Sequence, residues 1–200
     1  MRRTRLAGSL AVPSAAIGVA LVAVESRSHL RDPLRLRLAD YFHQERLATL
    51  VIAVNPDDEA APGVESLTER VEAGLAWIAS EPRLQDLPVG VLADGAAVVP
   101  AMVAMARDPE RVHGFVGCGG EPDEAGDVLP RVAAPTLLVV GGFDTGGLES
   151  ARRALERLPG HADLAVIDDT SDPLAGPEGL AAVARVAGRW LLDHLAPAVS

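Results

Sequence analysis

Along this chain, short apolar runs bounded by glycine and proline alternate with stretches whose apolar residues recur every three or four positions. The first kind reads as buried β-strand and the second as amphipathic helix. Residues 6–12 and 17–24 form a strand, a turn and a second strand. In 33–46, Leu34, Leu38 and Phe42 share one helical face, and 48–54 is a further strand. Residues 64–80 place Val64, Leu67, Val71, Leu75 and Ile78 on one stripe, and Glu81-Pro82 ends that helix because the residue before proline is driven out of the helical region. The alternation continues through strand 89–93, helix 96–107, strands 112–117 and 136–140, helix 148–158, strand 162–167 and helix 178–194. This order predicts an α/β fold, a three-layer sandwich whose mostly parallel, twisted sheet carries helices on both faces. The short link between the first two strands predicts that they pair antiparallel. Segments 55–63 and 119–130, rich in Pro, Gly and acid, are expected to be loops over the carboxyl edge of the sheet.

Two hundred residues with 48% apolar content suit a single domain, 1–200, around one large core. A net charge of -10 opposes binding to a phosphate backbone, so nucleic acid is not an expected partner. All 18 cationic residues are arginine, which removes Schiff-base and P-loop chemistry, since both need a lysine amine. The one cysteine permits no internal disulfide and no cysteine-rich zinc site, in keeping with a cytoplasmic location. Residues 1–5, Met-Arg-Arg-Thr-Arg, and the apolar stretch after them have the look of a secretory signal. Pro13 and Ser14 interrupt that stretch, and its removal would take a central strand, so the strand reading is preferred. The stretch is also too short to span a bilayer, and no membrane partner is expected.

In open α/β sheets ligands bind where strand ends and helix starts converge. The residues after the strands include Val24, Glu25, Ser26, Asn55, Asp94, Gly95, Ala96, Cys118, Asp144 and 168–171. Residues 89–99 read VGVLADGAAVV, a strand turning sharply into an Ala-rich helix. That corner has the small flanking residues of a G-x-S-x-G nucleophile elbow, but glycine, Gly95, stands where the reactive serine would be. Cys118, within Gly117-Cys118-Gly119-Gly120, is a conceivable thiol nucleophile only if a nearby cation or helix terminus activates it. Asp94 at the corner would make an aspartyl nucleophile if the elbow were one residue shorter, but no histidine stands directly after the last strand to serve it. The five histidines, His29, His43, His113, His161 and His194, show no metal-ligand spacing, and His29 alone is placed to reach the crevice. Glu25, Asp94, Asp144, Asp168, Asp169 and Asp172 should converge there as well. No cofactor or metal is expected, and the acids read as a solvated, cation-attracting rim.

With these residues in place, the chain resembles the compact form of the dienelactone hydrolase family of α/β hydrolases, a form sometimes fused to phosphoribosyltransferase domains. The likeness rests on TRLAGSLAVP (4–13), LATLV (47–51), LPVG (87–90), AAPTLLVVGGFD (133–144) and the closing helix through Trp190-Leu191-Leu192. It implies a nucleophile position at Gly95, a base position at Ser171 and a triad acid at Asp144. It also implies an oxyanion loop at Val24-Glu25, where the family has His-Gly. Serine and histidine are thus replaced, and a glutamate borders the site meant for a developing negative charge. The reading is a catalytically degenerate hydrolase homologue with a binding, assembly or regulatory role, its crevice open to a small ligand and its surface to a protein partner or second copy. The alternative is an ester or lactone hydrolase using displaced residues, with Cys118, Asp94 or Ser26 as nucleophile.

Overall fold

The computed structural model describes residues 6–55 and 62–195. The signal-like residues 1–5 and most of the 55–63 loop lie outside the described residues. Seven strands, β1 (Ala7–Ala11), β2 (Gly18–Ser26), β3 (Leu47–Asn55), β4 (Val89–Asp94), β5 (Gly114–Cys118), β6 (Thr136–Gly141) and β7 (Ala162–Ile167), form one sheet in the order β1-β3-β2-β4-β5-β6-β7. Every pairing is parallel except β1 with β3. Helices α1 (Pro33–Gln44), α2 (Val64–Ser80), α3 (Val98–Arg107), α4 (Thr145–Leu155) and α5 (Pro177–Leu195) cover it. Alternation along β2 sorts the two cores. Val19, Leu21 and Ala23 face the layer of α2, α3 and α4, whereas Ala20, Val22 and Val24 face α1 and α5. A strand buried on both faces reads as the unbroken apolar run the sequence shows, which is the mark of a central parallel strand.

Local chemistry sets the helix ends. The Asp32 side chain accepts from the Leu34 backbone N–H at 2.9 Å, and Pro33 occupies the first turn, so α1 starts sharply. The α2 stripe is buried except for Val64, and Glu81 stops the helix in an extended conformation. Among the described residues no helix is long and apolar enough to cross a membrane.

Two expectations fail. β1 does not pair with β2 but with β3, from Ala7↔Ala53 to Ala11↔Thr49. The fully apolar β2 takes parallel partners on both sides, β3 and β4, while β1, whose side chains are half-buried or exposed, suits the sheet margin. The segment expected as a loop at 119–130 contains two 3-10 turns across Pro122–Arg131, kinked at Gly126 (φ 58°). Ala125 and Leu129 drive this by burying themselves in the core, a pattern hidden among Gly, Pro and acid. A smaller shift occurs at the elbow, where a 3-10 turn (Gly95–Ala97) precedes α3.

Candidate functional site

β4 delivers its last residue, Asp94, to the carboxyl edge, and the chain turns at Gly95 with φ 54°. An L-residue rarely holds that conformation, and strand-to-helix elbows store such strain at the reacting residue. Here the conformation is present without a side chain. A Cβ on Gly95 would meet nothing within 4 Å, so the space above the corner is open. Gly120 (φ 70°) lets the loop after β5 lie against the elbow, since a Cβ there would come within 2.6 Å of the Gly95 carbonyl oxygen.

Asp94 is held by a residue from α1. The Arg35 guanidinium donates Nε–H at 2.8 Å and Nη2–H at 2.6 Å to Asp94 Oδ2, while Nη1–H donates at 2.5 Å to Asp32 Oδ2. Both side chains of the central pair are nearly buried, at 12% and 13% exposure. Burial raises the Asp94 pKa and Arg35 opposes that rise. Burial also weighs against the Arg35 charge, but Asp94 and Asp32 together outweigh it, and the guanidinium pKa is raised. The hydrogen bond from Leu34 N–H is the largest influence holding the Asp32 carboxyl below its usual range. The carboxylate at the elbow is therefore engaged in an ion-pair network.

Cys118 is the β5 residue opposite Asp94 in register, and it is buried. Burial pushes its thiol pKa far up, with the negative charges of Asp94 and Asp172 adding to the effect. A thiolate nucleophile requires the opposite surroundings. At the end of β2, Val24 is buried and Glu25 exposed, and Ser26 Oγ lies 2.7 Å from Ser28 Oγ and 3.4 Å from His29 Nδ1. His29 is close enough for its charge to act on Asp94 and Asp32, as its position after the strand suggested. Ala96 is exposed beside the corner.

Residues at the β6 and β7 ends form a second group. Asp144 caps α4, its Oδ1 accepting from Gly147 N–H at 2.9 Å. Phe143 N–H donates to the Thr170 carbonyl at 2.9 Å, and a Cβ on Gly141 would collide with the Thr170 and Ser171 backbone, so the two loops are in direct contact. Ser171 itself is exposed. Asp172 joins the two groups, since its charge acts on Asp94 and Cys118. Asp168, Asp169, Asp172 and Glu178 line a 570 Å³ cavity outside the elbow. The expected convergence of six acids thus reduces to Asp94 and Asp172 near the corner, with Asp144 turned to its helix and Glu25 to solvent. Among the described residues, no group of three or more His, Cys, Asp or Glu is arranged to hold a metal ion.

The residue that sequence reading missed is Arg35. Attention to strand ends alone passes over it, but helix starts share that edge, and Asp32-Pro33 announces a helix start whose first turn contains Arg35.

No family model matches the chain. Two Mycobacterium tuberculosis proteins named "putative phosphoribosyl transferase" are 34% identical over 195 residues, 95% of this chain, which spans only 44% of their length. The solved dienelactone hydrolase of Anabaena variabilis is 32% identical, covers 97% of this chain and 94% of its own, and superposes with a TM-score of 0.90. Est1E of Butyrivibrio proteoclasticus shares the fold at 10% identity, covering 94% of each chain, with a TM-score of 0.80. At that identity and coverage with the Anabaena enzyme, the chain belongs to the dienelactone hydrolase family of α/β hydrolases.

Proposed function

We propose that this domain does not carry out acyl transfer at the family's elbow and that it serves in binding, assembly or regulation. The observation that carries the reading is Gly95, which holds the elbow conformation with open space above it and no reacting atom. Acyl transfer by a triad requires a nucleophile, a base that takes its proton and an acid that orients the base. The family positions hold Gly95, Ser171 and Asp144, and the carboxylate of Asp144 is bonded to its own helix. The two displaced nucleophiles nearest the corner are also poor ones. Asp94 is committed to Arg35, and burial keeps the Cys118 thiol protonated.

The partner we infer is a phosphoribosyl-transferase unit. The mycobacterial relatives bear that name, and more than half of their length lies beyond the segment that matches this hydrolase-fold chain. The unit would reside in the same polypeptide or in a separate one.

A second reading rests on one specific observation, the Ser26 Oγ to His29 Nδ1 approach of 3.4 Å with Asp94 and Asp32 within electrostatic reach. It would make the domain an ester hydrolase with a displaced nucleophile and base. Turnover of p-nitrophenyl acetate separates the two. The proposal expects the same background rate in the wild type, Ser26→Ala, His29→Gln and Cys118→Ala. A saturable rate that falls a hundredfold or so in Ser26→Ala and His29→Gln would establish the second reading instead.

A further inference from the structure

At the amino edge, opposite the crevice, topology joins two histidines that are 33 residues apart. His161 immediately precedes β7, and His194 sits in the last turn of α5. We propose that His161 and His194 form a two-histidine site for a first-row divalent transition-metal ion of the Cu²⁺, Ni²⁺ and Zn²⁺ class, with water completing the coordination.

The geometry has three parts. His194 Nδ1 lies 2.7 Å from the Trp190 carbonyl oxygen. A carbonyl only accepts, so Nδ1 carries the proton and Nε2 presents its lone pair. Metal-bound histidines are oriented in this way by a bond from the second ring nitrogen to a backbone carbonyl. That free Nε2 lies 3.3 Å from His161 Nδ1. Two imidazole nitrogens bound to one ion at ~2.0–2.1 Å are separated by about 3.3 Å at a tetrahedral angle and about 2.9 Å at the right angle of a tetragonal ion, so a small ring movement aims both lone pairs at a common point. Trp190 then fixes the pair. Its ring packs on His161 and His194 at centroid distances of 4.7 and 4.4 Å, and its Nε1–H donates to the Pro135 carbonyl at 3.3 Å.

The chemistry selects the ion class. Imidazole nitrogen favours Cu²⁺, Ni²⁺ and Zn²⁺ over Mg²⁺ and Ca²⁺, which prefer oxygen. His161 is exposed, leaving room for water ligands, and the chain's net charge of -10 favours cations. A hydrogen bond between the rings would also bring these nitrogens together. The metal would replace the proton shared in that bond and tie the entry of β7 to the end of α5.

Trp190 supplies the readout, because the chain has two tryptophans and Trp77→Phe leaves Trp190 alone. Protein without a histidine tag is titrated with Ni²⁺ and Cu²⁺ while Trp190 fluorescence is followed. The proposal expects saturable quenching at one equivalent and a midpoint about tenfold or more weaker in both His161→Asn and His194→Gln. Ni²⁺ should raise the Tm of the wild type and not that of the exposed-site variant His161→Asn, because the ion binds the folded pair. Absence of quenching, or quenching unchanged in the folded His161→Asn protein, overturns the proposal.

Discussion

Asp94 and Arg35 meet at the elbow as a nearly buried pair, and removing one partner leaves the other charge stranded. Arg35→Ala should cost about 2–4 kcal/mol at pH 7, measured by urea unfolding. The pH dependence has a definite sign. Burial raises the Asp94 pKa above the ordinary 3.8, so the folded state binds its proton more readily than the unfolded chain. The stability linked to that group is complete below the ordinary value and is lost as pH rises through the native one. Without Arg35 the native pKa rises further, so the deficit of Arg35→Ala should shrink toward pH 4, and a deficit that grows there would contradict the ion-pair account. At Gly95 the open space admits a side chain but φ 54° does not favour one. Gly95→Ser should therefore fold with a loss of about 1–2 kcal/mol and, even combined with Ser171→His, fall short of full ester turnover. Gly95 was legible in the sequence because a strand-turn-helix corner with small residues is a local pattern. The Arg35–Asp94 bond was not, because it joins residues 59 apart whose meeting depends on where α1 packs.

Helix caps and strand neighbours differ in how far they can be read from sequence. Asp144 is identified by resemblance as a triad acid, yet its carboxylate closes the first turn of α4. Asp144→Ala should cost about 1 kcal/mol in thermal or urea unfolding, and it should leave ester turnover at the wild-type background. A loss of activity larger than the loss of folded protein would restore the catalytic role. The bounds of α2 and β7 were readable almost to the residue, because period and proline fix them locally. The β1 partner was not readable. A short connection favours adjacent pairing, and only the demand of β2 for parallel neighbours on both sides sends β1 to β3. The 3-10 turns at Pro122–Arg131 were missed for a related reason, as three buried residues in ten, one of them a proline, give too weak a period to read.

Over the whole molecule, the layer order followed from the sequence because a doubly covered parallel sheet needs unbroken apolar strands and striped helices. Phe115 is fully buried in the larger of its two cores. Phe115→Ala should cost about 3–5 kcal/mol in urea unfolding, the usual result of emptying such a site. A much smaller loss would mean that the packing around β5 is looser than described. The chain keeps the scaffold of the dienelactone hydrolase family, with glycine, Gly95, at the turn from β4 toward α3. The most direct measurement is intact-mass spectrometry of the protein after incubation with a serine-directed fluorophosphonate. The account predicts an unmodified mass. A one-to-one adduct mapped to a serine at the crevice, Ser26 above all, would contradict it.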